Sequence, residues 1–233
     1  MALEAFIFDV DGTLAETEEL HRAAFNQAFS EAGLNWHWTE DDYENLLKVT
    51  GGKERILAHA KFIGVTTIDP APLHRRKTAL YNEMLRAGAL PLRPGVETLI
   101  RFARATGLKL AIATTTSREN IQTLLDVTLG TDARGWFQAM CTGEDVTVKK
   151  PDPEVYQLAL ERLGLSPSSC LAFEDTRNGI LAARGAGLEV IVTPSRYSTS
   201  EDFSGATGVI PTLEFKHLEP FLGTYGVKLR ASI

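Results

Sequence analysis

Ala5-Phe6-Ile7-Phe8-Asp9-Val10-Asp11-Gly12-Thr13 decides how this chain is read. A short apolar run, the pattern of a first strand, ends on two carboxylates one residue apart, and a glycine follows. A strand delivers Asp9 rigidly to its carboxyl edge. Gly12 lets the backbone turn sharply enough for Asp11 to face the same space. Such a pair makes a site for a divalent metal and a phosphoryl group, although acidic pairs also occur in solvated turns. The later strand ends decide between the two.

From Pro94 onward, strand and helix patterns alternate. Leu108-Lys109-Leu110-Ala111-Ile112-Ala113 reads as a strand, and Ser117 as the N-cap of a helix running to about Leu129. Ala139-Met140-Cys141 is a short strand. Pro153 opens a helix whose apolar face holds Val155, Leu158, Ala159 and Leu163. Leu171-Ala172-Phe173 is the next strand, followed by a helix through Ala182, Ala183 and Ala186 that stops near Gly187. Val190-Ile191-Val192 follows, and Val209-Ile210 is a last short strand. In the tail, Phe215, Leu218 and Leu222 are expected to pack on the core. Alternation of this kind requires crossover connections, and hence a parallel sheet with helices on both faces.

Residues 15–90 break the rhythm. Leu20, Ala24, Phe25 and Ala28 form one apolar helical stripe; Leu46, Ile56, Leu57, Ala60 and Phe62, then Leu80, Met84 and Leu85, continue it. No strand signal of comparable strength occurs there. The chain is therefore α/β: a Rossmann-like doubly wound parallel sheet built from residues 1–14 and 91–233, with an inserted α-helical domain of residues 15–90. An insert placed directly after the acidic turn can close over it and exclude water or select a substrate.

Composition limits the alternatives. The 233 residues are 44% hydrophobic, enough for a sizeable core. A net charge of −6 and a pI near 5.4 give no basic face for nucleic acid or an anionic membrane. No apolar run approaches a membrane span. With Met1 leading almost directly into the first strand, no targeting segment is expected. Cys141 and Cys170 lack metal-ligand spacing and read as buried, reduced thiols. The expected location is the cytosol, or the plastid stroma for a trimmed precursor, and the expected state is a monomer.

In such a sheet, ligands bind beyond the carboxyl ends of the strands. Those ends supply Asp9 and Asp11, then Thr114-Thr115-Thr116-Ser117, then Lys149-Lys150 before Pro151, then Glu174-Asp175. Two carboxylates about 4 Å apart repel by roughly 4 kcal/mol at an effective dielectric near 20. Four of them need a cation between them, and one lysine is too little. A hard divalent ion such as Mg²⁺ resolves the conflict, since it commonly bridges carboxylates and a phosphate.

Asp9-x-Asp11-Gly12-Thr13, Thr114 at a strand end, Lys150 before Pro151, and Glu174-Asp175, in that order, resemble the four motifs of the haloacid dehalogenase-like phosphohydrolases. The position of the insert is similar to that of their C1-capped class. The resemblance implies that Asp9 is a nucleophile that becomes an aspartyl phosphate, and that Asp11 is the general acid and base. It implies that Thr114, the Thr115 amide and Lys150 bind the phosphoryl group. It places Mg²⁺ on Asp9, the Asp11 carbonyl oxygen, Asp175 and Glu174.

The insert carries the expected specificity. Thr50-Gly51-Gly52-Lys53-Glu54-Arg55 offers bare amides and two basic side chains for a second anion, or else a helix start with solvated charges. Arg75-Arg76-Lys77 is a second basic group. His21 lies off the Leu20/Ala24 stripe, where a surface histidine is equally at home. Together with residues 16–22, the Gly-Gly-Lys segment resembles the CbbY-type sugar-bisphosphate phosphatases of Calvin-cycle organisms. Their substrate is xylulose 1,5-bisphosphate, an inhibitor of Rubisco. That likeness implies a distal-phosphate site at Gly52, Lys53, Arg55 and Arg118, with Glu18 and His21 toward the sugar hydroxyls and Lys77 as a further cap residue of the site. The similar β-phosphoglucomutases are the alternative enzyme reading. A phospho-Asp receiver domain is the non-enzymatic one, disfavoured because receivers are shorter and carry the phosphorylated Asp on a middle strand.

Overall fold

The structure, a computed structural model, describes residues 2–88 and 90–226. Met1, Ala89 and residues 227–233, which the sequence reading assigns to the two domains, lie outside the described residues.

Six parallel strands run in the order β3-β2-β1-β4-β5-β6. They are β1 (Ala5–Phe8), β2 (Lys109–Ala113), β3 (Ala139–Cys141), β4 (Cys170–Glu174), β5 (Glu189–Val192) and β6 (Gly208–Val209). Alternation along the strands separates two cores. Phe6, Phe8, Leu110, Ile112, Leu171, Phe173 and Ile191 face one side. There they meet α5 (Val96–Thr106), α6 (Arg118–Leu129) and α9 (Phe215–Thr224). Ala5, Ile7, Ala111, Ala113, Cys170, Ala172, Val190 and Val192 face the other, against α7 (Glu154–Leu163) and α8 (Arg177–Gly185). Burial on both faces explains why these strands read as unbroken apolar runs. Each fully buried Phe or Ile contributes about 1.5–3 kcal/mol. Both cysteines are free and buried.

Between β1 and α5 the described residues form four helices: α1 (Glu18–Glu31), α2 (Glu40–Leu47), α3 (Gly52–Phe62) and α4 (Pro70–Ala87). Phe25, Phe29, Trp38, Tyr43, Ile56 and Leu73 give this insert its own core. A capping box at Thr39–Asp42 starts α2, and Asp69 with Pro70 starts α4. Thr17 precedes α1 but does not cap it, because its hydroxyl is committed elsewhere.

Several elements differ from the sequence expectation. Leu57 and Phe62 are exposed, the latter 88%, because Ile56 and Ala60, four residues apart, already define the buried face of α3. The last strand is Gly208–Val209 rather than Val209-Ile210, and α8 stops at Gly185, short of Ala186. β2 starts at Lys109, so Leu108 is excluded. β4 extends one residue beyond Phe173, so Glu174 is held inside the strand. Among the described residues, no helix is long and apolar enough to cross a membrane.

Candidate active site

The central strands place the charged groups. Asp9 follows β1, and its N–H donates to the Phe173 carbonyl at 3.0 Å, continuing the ladder one step past the last strand pair. Thr114 follows β2 and is 1% exposed. Lys150, from the loop after β3, donates to Asp9 Oδ1 at 2.6 Å, to Glu174 Oε1 at 2.6 Å and to the Ala113 carbonyl at 2.9 Å. All three ammonium donors are thereby used. The Tyr156 hydroxyl donates to the same Glu174 oxygen at 2.6 Å.

Two glycines make this packing feasible. Gly12 adopts φ +83°, and a Cβ on it would lie 2.0 Å from Asp175 Oδ2. A Cβ on Gly179 would lie 2.0 Å from the Glu174 carboxyl group. The acidic turn and α8 thus close onto the two carboxylates as only glycine allows.

Carboxylate oxygens of Asp9, Glu174 and Asp175 lie within 4.8 Å of one another, and all three residues are buried. Burial, opposed by Lys150 and reinforced by Glu174 and Asp11, pushes Asp9 up to about 8. Burial with Asp9 and Glu174 nearby holds Asp175 well above the ordinary carboxylate range. Burial opposes the Lys150 charge, but Asp9 and Glu174 more than compensate and raise its pKa. Fully ionised, the three clustered carboxylates would outnumber the one ammonium, and the upward shifts of Asp9 and Asp175 record that conflict; every donor is a hard oxygen. This set fits a small divalent cation.

Asp11 faces the insert instead. Thr17 Oγ1 donates to its Oδ1 at 2.6 Å, and His21 Nε2 lies 3.1 Å from the same oxygen. Burial would raise this carboxyl, but His21, Thr17 and Lys77 hold it below its ordinary value. His21 is 4% exposed, stacked on Tyr81 at 4.0 Å. Packing of α1 against α4 covers the face that the apolar stripe left unassigned.

Asp9, Asp11, His21, Lys150 and Asp175 line one crevice of about 520 Å³ between the sheet edge and the insert. Its walls include Thr114, Thr115, Glu18, Gly52, Lys53, Arg55, His74, Lys77 and Lys149. Arg55 is buried, donating to Tyr43 Oη at 2.9 Å and the Leu46 carbonyl at 3.2 Å. Tyr43 in turn donates to Glu18 at 2.8 Å. The insert is closed over the crevice by contacts from two core loops and from the first turn of α8. Lys149 pairs with Glu54 at 2.7 Å, Asn178 donates to Thr50 Oγ1 at 3.1 Å, and Arg196 pairs with Glu40 at 2.5 Å.

Arg118 is the exception. Its guanidinium lies outside the crevice lining, bonded to Asp145 at 2.9 Å and to the Met140 carbonyl at 3.1 Å. Burial would raise Asp145, but Arg162, Thr142 and Arg118 hold it down at about 2, so it is a committed anion. The expectation that Arg118 reaches a distal phosphate is corrected accordingly. Conversely, Thr17, Tyr43, His74, Tyr156 and Tyr197 belong to the site or its lining without having been singled out. Tyr156 shows the only local signal, an aromatic beside Val155 on the buried face of α7.

With this geometry in place, comparison with known proteins identifies the family. The family model of haloacid dehalogenase-like hydrolases matches residues 3–187. The chain belongs to that family. It is 51% identical over 215 residues to the protein CbbY of Rhodobacter capsulatus, covering 91% of this chain and 95% of that one. The crystal structure of CbbY from Rhodobacter sphaeroides in complex with phosphate superposes with a TM-score of 0.87 at 43% identity, covering 93% and 98% of the two chains. An Asp-to-Asn variant of the latter, in complex with xylulose-(1,5)bisphosphate, gives 0.86 at 43% identity, covering 91% and 95%. Within the family this chain falls with the CbbY type, and it is a phosphatase.

Proposed function

We propose that this phosphatase hydrolyses xylulose 1,5-bisphosphate to xylulose 5-phosphate and phosphate, with Mg²⁺, and that residues 15–90 act as its cap domain. The observation that carries this reading is the charge layout of the one crevice. Asp9, Lys150 and Thr114 stand at the sheet edge, while Lys53, Arg55 and Lys77 stand at the insert. A substrate with a phosphate at each end matches both poles. The rhodobacterial relative crystallised with xylulose-(1,5)bisphosphate supports the choice of sugar.

In the reaction, Asp9 attacks phosphorus and the P–O bond to the sugar breaks; Asp11, held as an anion here, takes up a proton when substrate binds and passes it to the departing alkoxide. Water then attacks the aspartyl phosphate, its proton passes to Asp11, and Asp9 is regenerated with release of phosphate. Thr17 and His21 hold Asp11 by one oxygen for both transfers. Lys150 balances charge on Asp9, and Thr114 with the Thr115 amide receives phosphoryl oxygens. Asp9, Asp175, the Asp11 carbonyl and Glu174 would hold Mg²⁺, which when bound would supply positive charge to the phosphoryl group. The closed insert excludes bulk water. Glu18 and His21 meet the sugar, and Gly52, Lys53 and Arg55 the distal phosphate.

The test is Mg²⁺-dependent phosphate release from xylulose 1,5-bisphosphate, run beside β-glucose 1-phosphate with a glucose 6-phosphate readout. Fast release from the bisphosphate is expected. Efficient glucose 6-phosphate formation with little release would make the protein a mutase.

A further inference from the structure

Arg93 lies outside the crevice lining, yet its side chain gathers the segments on which the site is built. It is on the linker that returns from the insert to the sheet domain, 12% exposed at the side chain. Nη1 donates to the Gly12 carbonyl, to the Thr193 carbonyl at 2.8 Å and to Thr193 Oγ1 at 3.2 Å. Nη2 donates to the Pro194 carbonyl at 2.7 Å, and Nε lies 3.1 Å from Glu16 Oε1. The Arg93 backbone N–H donates to the Leu14 carbonyl at 2.8 Å, so the two linkers of the insert are paired at this residue.

Each partner leads to a reacting group. Gly12 follows Asp11 directly and lies against Asp175. Pro194 precedes Ser195, whose Cβ and the Asp175 carboxyl both flank Gly12, 3.0 and 2.0 Å from where a Cβ on that glycine would lie. A planar guanidinium with five fixed N–H donors can hold carbonyls from two segments at set angles, whereas a lysine ammonium cannot reproduce that fork. The carbonyls of Gly12 and Thr193 belong to buried residues and would otherwise lose their partner.

We propose that Arg93 is a positioning residue, whose guanidinium keeps the turn carrying Asp11 in register with the loop that supports Asp175. It acts at the crossing of the two linkers and touches neither substrate nor the reacting atoms. The proposal rests on the phosphatase reading above.

The experiment compares wild type, Arg93→Lys and Arg93→Ala with p-nitrophenyl phosphate, which has no distal phosphate, and with xylulose 1,5-bisphosphate. A misplacement of about 1 Å can lower turnover by about 100-fold. A kcat loss of that order is expected on both substrates, with KM nearly unchanged. Low-millimolar guanidinium ion is expected to restore part of the Arg93→Ala activity and none of the Arg93→Lys activity. Hydrogen–deuterium exchange should rise together in residues 10–16 and 193–198 of both variants. Unchanged kcat with only a lowered Tm overturns the proposal, as does a loss confined to KM for the bisphosphate. If wild type releases no phosphate, the reaction assignment fails, and the exchange arm alone then decides whether Arg93 couples the two segments. If Arg93→Ala does not fold, Arg93→Lys carries both arms: normal exchange in the two segments, or full kcat in an active protein, refutes the role.

Discussion

Lys77 and His21 are joined Nζ to Nδ1 at 2.7 Å, in the buried interior of the insert. With Nδ1 accepting from the ammonium, the assigned tautomer places the ring proton on Nε2, the atom facing Asp11. Lys77 also lies over the rings of Phe25 and Tyr81, at 4.7 and 5.4 Å from their centroids. Burial pushes this lysine down to about 7, whereas an unfolded one titrates near about 10.4. Between those values the unfolded chain binds more protons, so this group makes stability rise with pH. In urea denaturation, the stability of Lys77→Met minus that of wild type should therefore fall by up to a few kcal/mol from about pH 7 to 10. A pH-independent difference would show that Lys77 titrates normally.

Asp9→Asn separates chemistry from metal binding. The amide can still accept a hydrogen bond from Lys150, but it has no nucleophilic carboxylate, so phosphate release should vanish. It also removes an ionisable group from a cluster in which burial and Glu174 push up both Asp9 and Asp175, and Asp9 itself pushes up Asp175. The variant should be at least as stable as wild type without metal. Mg²⁺ at a hundredfold excess over its Kd adds about 2.7 kcal/mol to any protein that binds it only when folded. Thermal unfolding across an Mg²⁺ series should show a clear Tm rise for wild type and a smaller one for Asp9→Asn. Equal shifts would place the ion elsewhere.

Much of the core of the site was legible because Asp9, Thr114 and Asp175 follow directly on recognisable strands, with Lys150 marked by the proline after it. Asp9, Thr114 and Asp175 need only the strand ends and the rule that parallel sheets bind ligands there. Side chains that reach the site across the insert had no such anchor. His21 is buried through the packing of α1 on α4, a contact that no periodicity within α1 encodes. Arg118 was misassigned because its partner Asp145 stands 27 residues away and is oriented by Thr142 after β3. Arg93 left no sequence signal because its partners are mostly backbone carbonyls.

The two poles of the crevice can be tested apart. Hydrogen bonds to charged groups contribute about 1.5–3 kcal/mol, roughly tenfold to a hundredfold in binding. Arg55→Met should raise KM for xylulose 1,5-bisphosphate by that factor and leave KM for p-nitrophenyl phosphate nearly unchanged. Arg55 also braces Tyr43, so a Tm measurement must accompany the kinetics. Equal KM increases on both substrates would mean that Arg55 shapes the insert and reads no distal phosphate.

Gly179→Ala sets two effects of opposite sign against each other. Gly179 lies in α8, without the left-handed backbone of Gly12, so helix propensity alone favours alanine by about 1 kcal/mol. The added methyl, however, would sit 2.0 Å from the carboxyl group of Glu174. That carboxylate is held by Lys150 and Tyr156 and is 1% exposed, so it has little room to withdraw. Overpacking of this kind costs about 1–3 kcal/mol, which outweighs the propensity gain. The variant should lose stability in urea denaturation, and Mg²⁺ should raise its Tm less than that of wild type, because Glu174 is displaced from the carboxylate cluster. A stabilised variant with an undiminished Mg²⁺ response would show that α8 can shift away from β4, and that Glu174 is not fixed by its contact with Gly179.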